Sequence, residues 1–171
     1  MRAFYPWLFA SACAVTGMSA STPAEAQQGP YYYLVSRASG KCAHVHGGGA
    51  ERGASITMWD CIDLPNLKWR KIPVAGQGDW FYLQAQNSGR CLHQHGGVQT
   101  NNGAMTQWDC INSPNIKWTQ VPATGGYSYL VVQHSGKCLH VPGPQTNGTP
   151  VTQWSCVDQS HLQWSLVLAP G

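Results

Sequence analysis

Three histidines, His44, His93 and His140, each stand two residues after a cysteine. Further along each of these stretches comes a tryptophan, Trp59, Trp108 or Trp154, two residues before a second cysteine. Seven residues beyond the tryptophans stand Asn66, Asn115 and, in the third stretch, His161. Imidazoles bind metals, imidazoles paired with carboxylates move protons, and an indole flanked by polar groups makes a binding platform. The metal reading fails on count. His44-x-His46 and His93-x-His95 are i, i+2 pairs that share a strand face, but a structural zinc takes four ligands and a catalytic one three. The third stretch has Pro142 where a second histidine would stand. No metal and no cofactor are expected. Catalysis fails on convergence. Asp60 and Asp109 occupy equivalent places in different stretches, so they are not an acid–base pair. No G-x-S-x-G elbow is present, and nothing gathers a mixed constellation at one point. The sequence reads as a non-enzyme.

These residues recur because the chain repeats. SGKCAHVHGGGAERGASITMWDCIDLPNLKW (39–69), SGRCLHQHGGVQTNNGAMTQWDCINSPNIKW (88–118) and SGKCLHVPGPQTNGTPVTQWSCVDQSHLQW (135–164) are three copies of one unit. Cys42, Cys91 and Cys138 lie 49 and then 47 residues apart, and lead-ins repeat as Tyr33-Leu34, Tyr82-Leu83 and Tyr129-Leu130. The copies run over about 31–78, 79–125 and 126–168 and make one domain, 31–171, of the 171-residue chain. A fixed period of this kind signals a repeat architecture.

The first 26 residues are set apart from the fold. Met1-Arg2 is a minimal basic start, Ala3 to Val15 is apolar, and Ala24-Glu25-Ala26 is a small-residue cleavage site. Together they predict a secretory signal peptide cut before Gln27, then a short linker over 27–30 and an extracellular or periplasmic protein. No membrane insertion is expected, since the apolar run is too short to span. Cleavage removes Cys13 and leaves six cysteines. Only bridges within a copy give every copy the same environment, which predicts Cys42–Cys61, Cys91–Cys110 and Cys138–Cys156. Each closes a loop worth about 3 kcal/mol in the chain-entropy model. The remaining nine Lys+Arg and six Asp+Glu leave a formal charge of +3. The cations are scattered, so no nucleic-acid partner is expected.

No segment holds an apolar 3.6-residue period, whereas short alternating runs between Gly, Pro and Asn clusters predict about four strands per copy. These are the Tyr-rich lead-in, the cysteine strand, the Trp-x-Cys strand and a strand ending in Trp. Twelve short strands in three copies predict an all-β, threefold closed structure. Parity then divides the tryptophans. Trp69, Trp118 and Trp164 share a face with Leu67, Ile116 and Leu162, and read as core. Trp59, Trp108 and Trp154 share a face with Thr57, Thr106 and Thr152, opposite the apolar Ile56, Met105 and Val151, and read as a repeated platform.

On these residues the mature chain resembles the ricin B-type lectins. The resemblance rests on the period, the cysteine pairs, the Trp-x-Cys element and the closing x-x-Trp. It implies a β-trefoil, a six-stranded barrel capped by three hairpins, with one shallow sugar site per copy. It places sugar stacking on Trp59, Trp108 and Trp154, and side hydrogen bonds on Asn66 and Asn115, with His161 at the third position. Where the family has an Asp that takes sugar hydroxyls, this chain has His44, His93 and His140. The family's Q-x-W reads Leu-x-Trp, Ile-x-Trp and Leu-x-Trp. A neutral imidazole offers one donor and one acceptor, an imidazolium two donors. Binding is therefore expected to change as pH falls through about 6.5. The resemblance implies glycans as partners. The alternative partner is a separate catalytic or toxin subunit, for which this chain would be the cell-binding or targeting half. Asn147-Gly148-Thr149 is a glycosylation sequon.

Overall fold

The computed structural model describes residues 29–170. The expected signal peptide, its cleavage point and Cys13 lie outside the described residues. Each copy supplies four strands. The first gives β1 (Tyr31–Ser36), β2 (Cys42–Val45), β3 (Ile56–Trp59) and β4 (Lys68–Pro73). The second gives β5 (Phe81–Ala85), β6 (Cys91–Gln94), β7 (Met105–Trp108) and β8 (Trp118–Pro122). The third gives β9 (Ser128–Val132), β10 (Cys138–His140), β11 (Thr152–Trp154) and β12 (Trp164–Leu168).

Antiparallel pairing runs β1–β4–β5–β8–β9–β12 and returns from β12 to β1, closing a six-stranded barrel. Closure leaves the barrel no unpaired edge. The remaining strands form the hairpins β2–β3, β6–β7 and β10–β11. Single bridges join the hairpins to one another at Ser55–Thr106, Thr57–Pro150 and Ala104–Thr152. Three hairpins bridged in a ring over a closed barrel are a β-trefoil.

The fourth strand of each copy begins at the closing tryptophan or one residue before it, rather than ending there. The residues ahead of it form 3-10 turns at Pro65–Leu67, Pro114–Ile116 and Ser160–Leu162. Proline at the head of such a turn already has the needed φ and has no N–H to leave unpaired. Leu67, Ile116 and Leu162 are nonetheless fully buried beside the tryptophans. A turn, not strand alternation, puts them there. The opposite face is covered too, since Lys68 and Arg70 are only 7% and 9% exposed. Lys68 Nζ donates to the Pro170 carbonyl at 2.9 Å and pairs with Asp63, while Arg70 lies over the Tyr31 ring.

Trp69, Trp118 and Trp164 fill the barrel with Leu34, Leu83 and Leu130. Each indole N–H donates at 2.9 Å to a hairpin-strand carbonyl of its own copy, that of Ala43, Leu92 or Leu139. One side chain therefore fills the barrel and fastens the hairpin above it. The disulfides Cys42–Cys61, Cys91–Cys110 and Cys138–Cys156 form within the copies. Each ties the start of one hairpin strand to the residues just past the platform tryptophan.

The hairpin loops are gripped from the next copy. Gln107 and Gln153 are fully buried. The Gln107 amide donates to the carbonyls of Gly49 and Glu51, and that of Gln153 to those of Val98 and Thr100. A Cβ on Gly103 would meet Gln153 Nε2 and Val98 Cγ2 at 2.8 Å. That amide is pinned and cannot retreat. Gly103→Ala is expected to cost about 1–3 kcal/mol as an overpacking change, read as a lower urea midpoint. An unchanged midpoint would show that the loop yields.

Candidate functional site

Cross-strand register assembles the site. His44, His93 and His140 lie directly opposite Thr57, Thr106 and Thr152, and the cysteine two residues before each histidine lies opposite Trp59, Trp108 or Trp154. Side chains two residues apart share a face. Each histidine therefore lands beside a platform indole, with ring centroids 5.4 Å apart in the first and third copies and 5.5 Å in the second. The structure brings together His44, Trp59 and Asn66; His93, Trp108 and Asn115; and His140, Trp154 and His161. The three sets differ in how they are wired.

In the second copy, Asn115 Nδ2 donates to His93 Nε2 at 2.9 Å and to the Gln94 carbonyl at 3.2 Å, while its Oδ1 accepts from the Ser113 hydroxyl. An Nε2 that accepts leaves the proton on Nδ1, which donates to Thr106 Oγ1 at 2.9 Å. His93 is thus fixed as one neutral tautomer. In the first copy, His44 Nδ1 donates to the Thr57 carbonyl at 2.9 Å, and Asn66 turns its amide to the Val45 carbonyl instead. Among the described hydrogen bonds His44 Nε2 takes none, so its acceptor edge is open to a ligand. In the third copy, His140 Nδ1 meets Thr152 Oγ1 at 2.8 Å and His161 stands edge-on at 5.1 Å.

Burial decides the charge of these rings. His44, His93 and His140 are 4–8% exposed. Burial first, and then the neighbouring His95 or His161, push His93 and His140 down to about 4. Burial also lowers His44, against the bond to the Thr57 carbonyl. The response expected at about pH 6.5 is therefore not carried by His93 or His140, which stay neutral well below it, and burial moves His44 in the same direction. The i, i+2 histidine pairs are corrected as well. His46 and His95 open 3-10 turns beyond the strands, with rings 6.0 and 6.1 Å from His44 and His93. Among the described residues no three His, Cys, Asp or Glu side chains converge as metal ligands do.

The first copy has the open site. A cleft of about 330 Å³ is lined by His44, His46, Gly47, Gly48, Trp59, Leu64, Asn66 and Leu67. Trp59 is 36% exposed, whereas Trp108 and Trp154 are half-buried. Sequence reading missed the threonine that fixes each histidine, although its constant place two residues before the platform tryptophan was a usable signal. It also missed a contact that crosses between copies. The residue after each platform indole is held from two sides. Asp60 takes Lys41 and Asn147, Asp109 takes Arg90 and Arg52, and Ser155 takes Lys137 and Asn101. The Lys41 and Asn147 bonds hold the Asp60 carboxyl below the usual carboxylate range.

The sequence model of the ricin-type β-trefoil lectin domain-like family matches residues 19–80, 65–154 and 114–170. No curated protein matches the chain. Among solved structures, the designed threefold-symmetric protein ThreeFoil is 30% identical, with a TM-score of 0.77 over 80% of this chain and 97% of its own. The exo-β-1,3-galactanase 1,3Gal43A from Clostridium thermocellum is 26% identical, with a TM-score of 0.78 over 82% of this chain and 30% of the enzyme. The Rhizoctonia solani agglutinin shares the fold at 19% identity, with a TM-score of 0.73 over 81% of this chain and 94% of its own. With its three copies, hairpin-capped barrel and a histidine set against a platform indole in each copy, the chain belongs to the ricin-type β-trefoil lectin domain-like family.

Proposed function

We propose that the protein is an exported, non-catalytic carbohydrate-binding lectin with up to three shallow sites, the first of them the most open. The observation that carries this reading is the cleft in which the exposed Trp59 indole meets the His44 acceptor edge and Asn66. A sugar presents an apolar face to stack on the indole and hydroxyls that can donate to His44 Nε2. Family membership supports the reading, as does the recurrence of the same indole and imidazole in every copy. A neutral imidazole accepts one hydrogen bond where a carboxylate would accept several, which argues against carrying over a ligand preference from family members that have Asp. Export rests on the N-terminal sequence alone.

A single shallow site is expected to bind at roughly millimolar strength, about −4 kcal/mol. Several sites on one rigid body raise avidity by ~10²-fold or more on a dense glycan surface. The test is a glycan array probed with the mature protein, followed by titration of its intrinsic fluorescence with the glycans that bind. Trp59→Ala is expected to weaken binding to neutral glycans on the array by at least ~10-fold through the loss of stacking and multivalency. A folded protein that binds no glycan would refute the reading and turn attention to a protein partner.

A further inference from the structure

We propose that the second site selects acidic glycans, and that Arg52, supplied by the first copy, is the residue that makes the selection. This rests on the lectin reading above and adds a ligand class to one site. Arg52 lies in the loop between β2 and β3, yet its guanidinium sits over the Trp108 ring, 5.6 Å from the centroid. It is held there by an ion pair with Asp109 Oδ2, while Asp109 Oδ1 takes Arg90. Arg90 is anchored in turn by a 2.7 Å bond from Nε to the Ala50 carbonyl. One carboxylate between two guanidiniums leaves one positive charge uncompensated beside the platform. Glu51, the neighbouring acid, turns its carboxylate over Gly49 and makes none of the described ion pairs.

The other copies lack this device. Where Arg52 reaches Asp109, Asn147 reaches Asp60 and Asn101 reaches Ser155, both uncharged. Lys137 meets Ser155, but among the described contacts no cation lies over Trp59 or Trp154. The Arg52 side chain is 57% exposed, and the ion pair engages only one of its donor groups. A guanidinium carries five N–H donors in a planar fork that matches an oxyanion. A pyranose stacked on Trp108 brings its substituents alongside that fork. A carboxylate, as in uronic or sialic acids, or a sulfate ester accepts two of those bonds, and charge-assisted bonds are the strong ones. His93 cannot discriminate in this way, because its Nε2 already accepts from Asn115.

The test compares wild type, Arg52→Ala, Arg52→Lys, Trp59→Ala and Trp108→Ala on an array that pairs uronic, sialylated and sulfated glycans with their neutral parents. Wild type is expected to prefer acidic members by ~10-fold or more, a preference that weakens between 0.05 and 0.5 M salt as screening grows. Arg52→Ala and Trp108→Ala are expected to erase the preference, Arg52→Lys to keep part of it, and Trp59→Ala to lose neutral ligands while sparing acidic ones. Carboxylated and sulfated members are read separately, and a preference for either supports the proposal. Neutral binding without an acidic preference, or a preference that survives Arg52→Ala, overturns this inference and leaves the lectin reading standing. Loss of all glycan binding by folded wild type overturns both.

Discussion

Trp118→Ala is expected to lower the unfolding free energy by about 3–5 kcal/mol. Trp108→Ala is expected to leave stability within about 1 kcal/mol of the parent, since removing a partly exposed side chain leaves no closed cavity. The two indoles belong to one copy and differ in what surrounds them. Trp118 is fully buried in the barrel, and its N–H satisfies the Leu92 carbonyl at 2.9 Å. Its truncation opens a cavity and also strands a buried acceptor, which carries its own desolvation cost. Trp108 is half-buried, resting against His93 on the hairpin with Arg52 over its ring. Its loss removes the platform and leaves the barrel filled. Urea unfolding followed by far-UV circular dichroism avoids the change in indole fluorescence that either mutation brings. Equal midpoint shifts for the two variants would contradict the division of the tryptophans into filler and platform.

That division was legible from sequence because it depends on period two and on repetition, and both survive in a one-dimensional reading. The disulfides were legible for the same reason, since three copies of one unit demand three copies of one bridge. The bounds of the fourth strand were not, since it starts near the closing tryptophan and does not end there. Alternation at Leu67, Trp69, Ile116 and Trp118 mimics a strand, yet Pro65 and Pro114 open 3-10 turns that bury the leucine and isoleucine by a different route. Nor was the wiring of the site legible. Asn66 and Asn115 are the same residue at the same place, but one bonds a backbone carbonyl and the other also bonds an imidazole. Contacts that pass from one copy to the next, such as Arg52 on Asp109, have no period within a copy and come only from closing the ring. Histidine charge is likewise set by burial, which alternation gives as a face and not as a depth.

Acid is expected to loosen the fold well before it charges His93 and His140. In the unfolded chain a histidine takes up its proton near pH 6.5. In the folded protein His93 and His140 wait until about 4, held neutral by burial and by the adjacent His95 and His161. Between those values the unfolded state binds more protons, so stability falls as pH falls. The slope is about 1.4 kcal/mol per pH unit for each histidine. Above the unfolded pKa both states are neutral and the effect vanishes. Across the whole window each ring withholds on the order of 3 kcal/mol, and His44 adds to the loss in the same direction. His93→Gln is expected to flatten the dependence between pH 6 and 4.5 by about one histidine's share, 1.4 kcal/mol per unit. Imidazole nitrogen resonances give the direct check. His93 should hold its proton on Nδ1, with Nε2 accepting from Asn115, down to about 4. A His93 midpoint near 6.5 would mean that water reaches the ring and that the Asn115 bond does not hold it neutral.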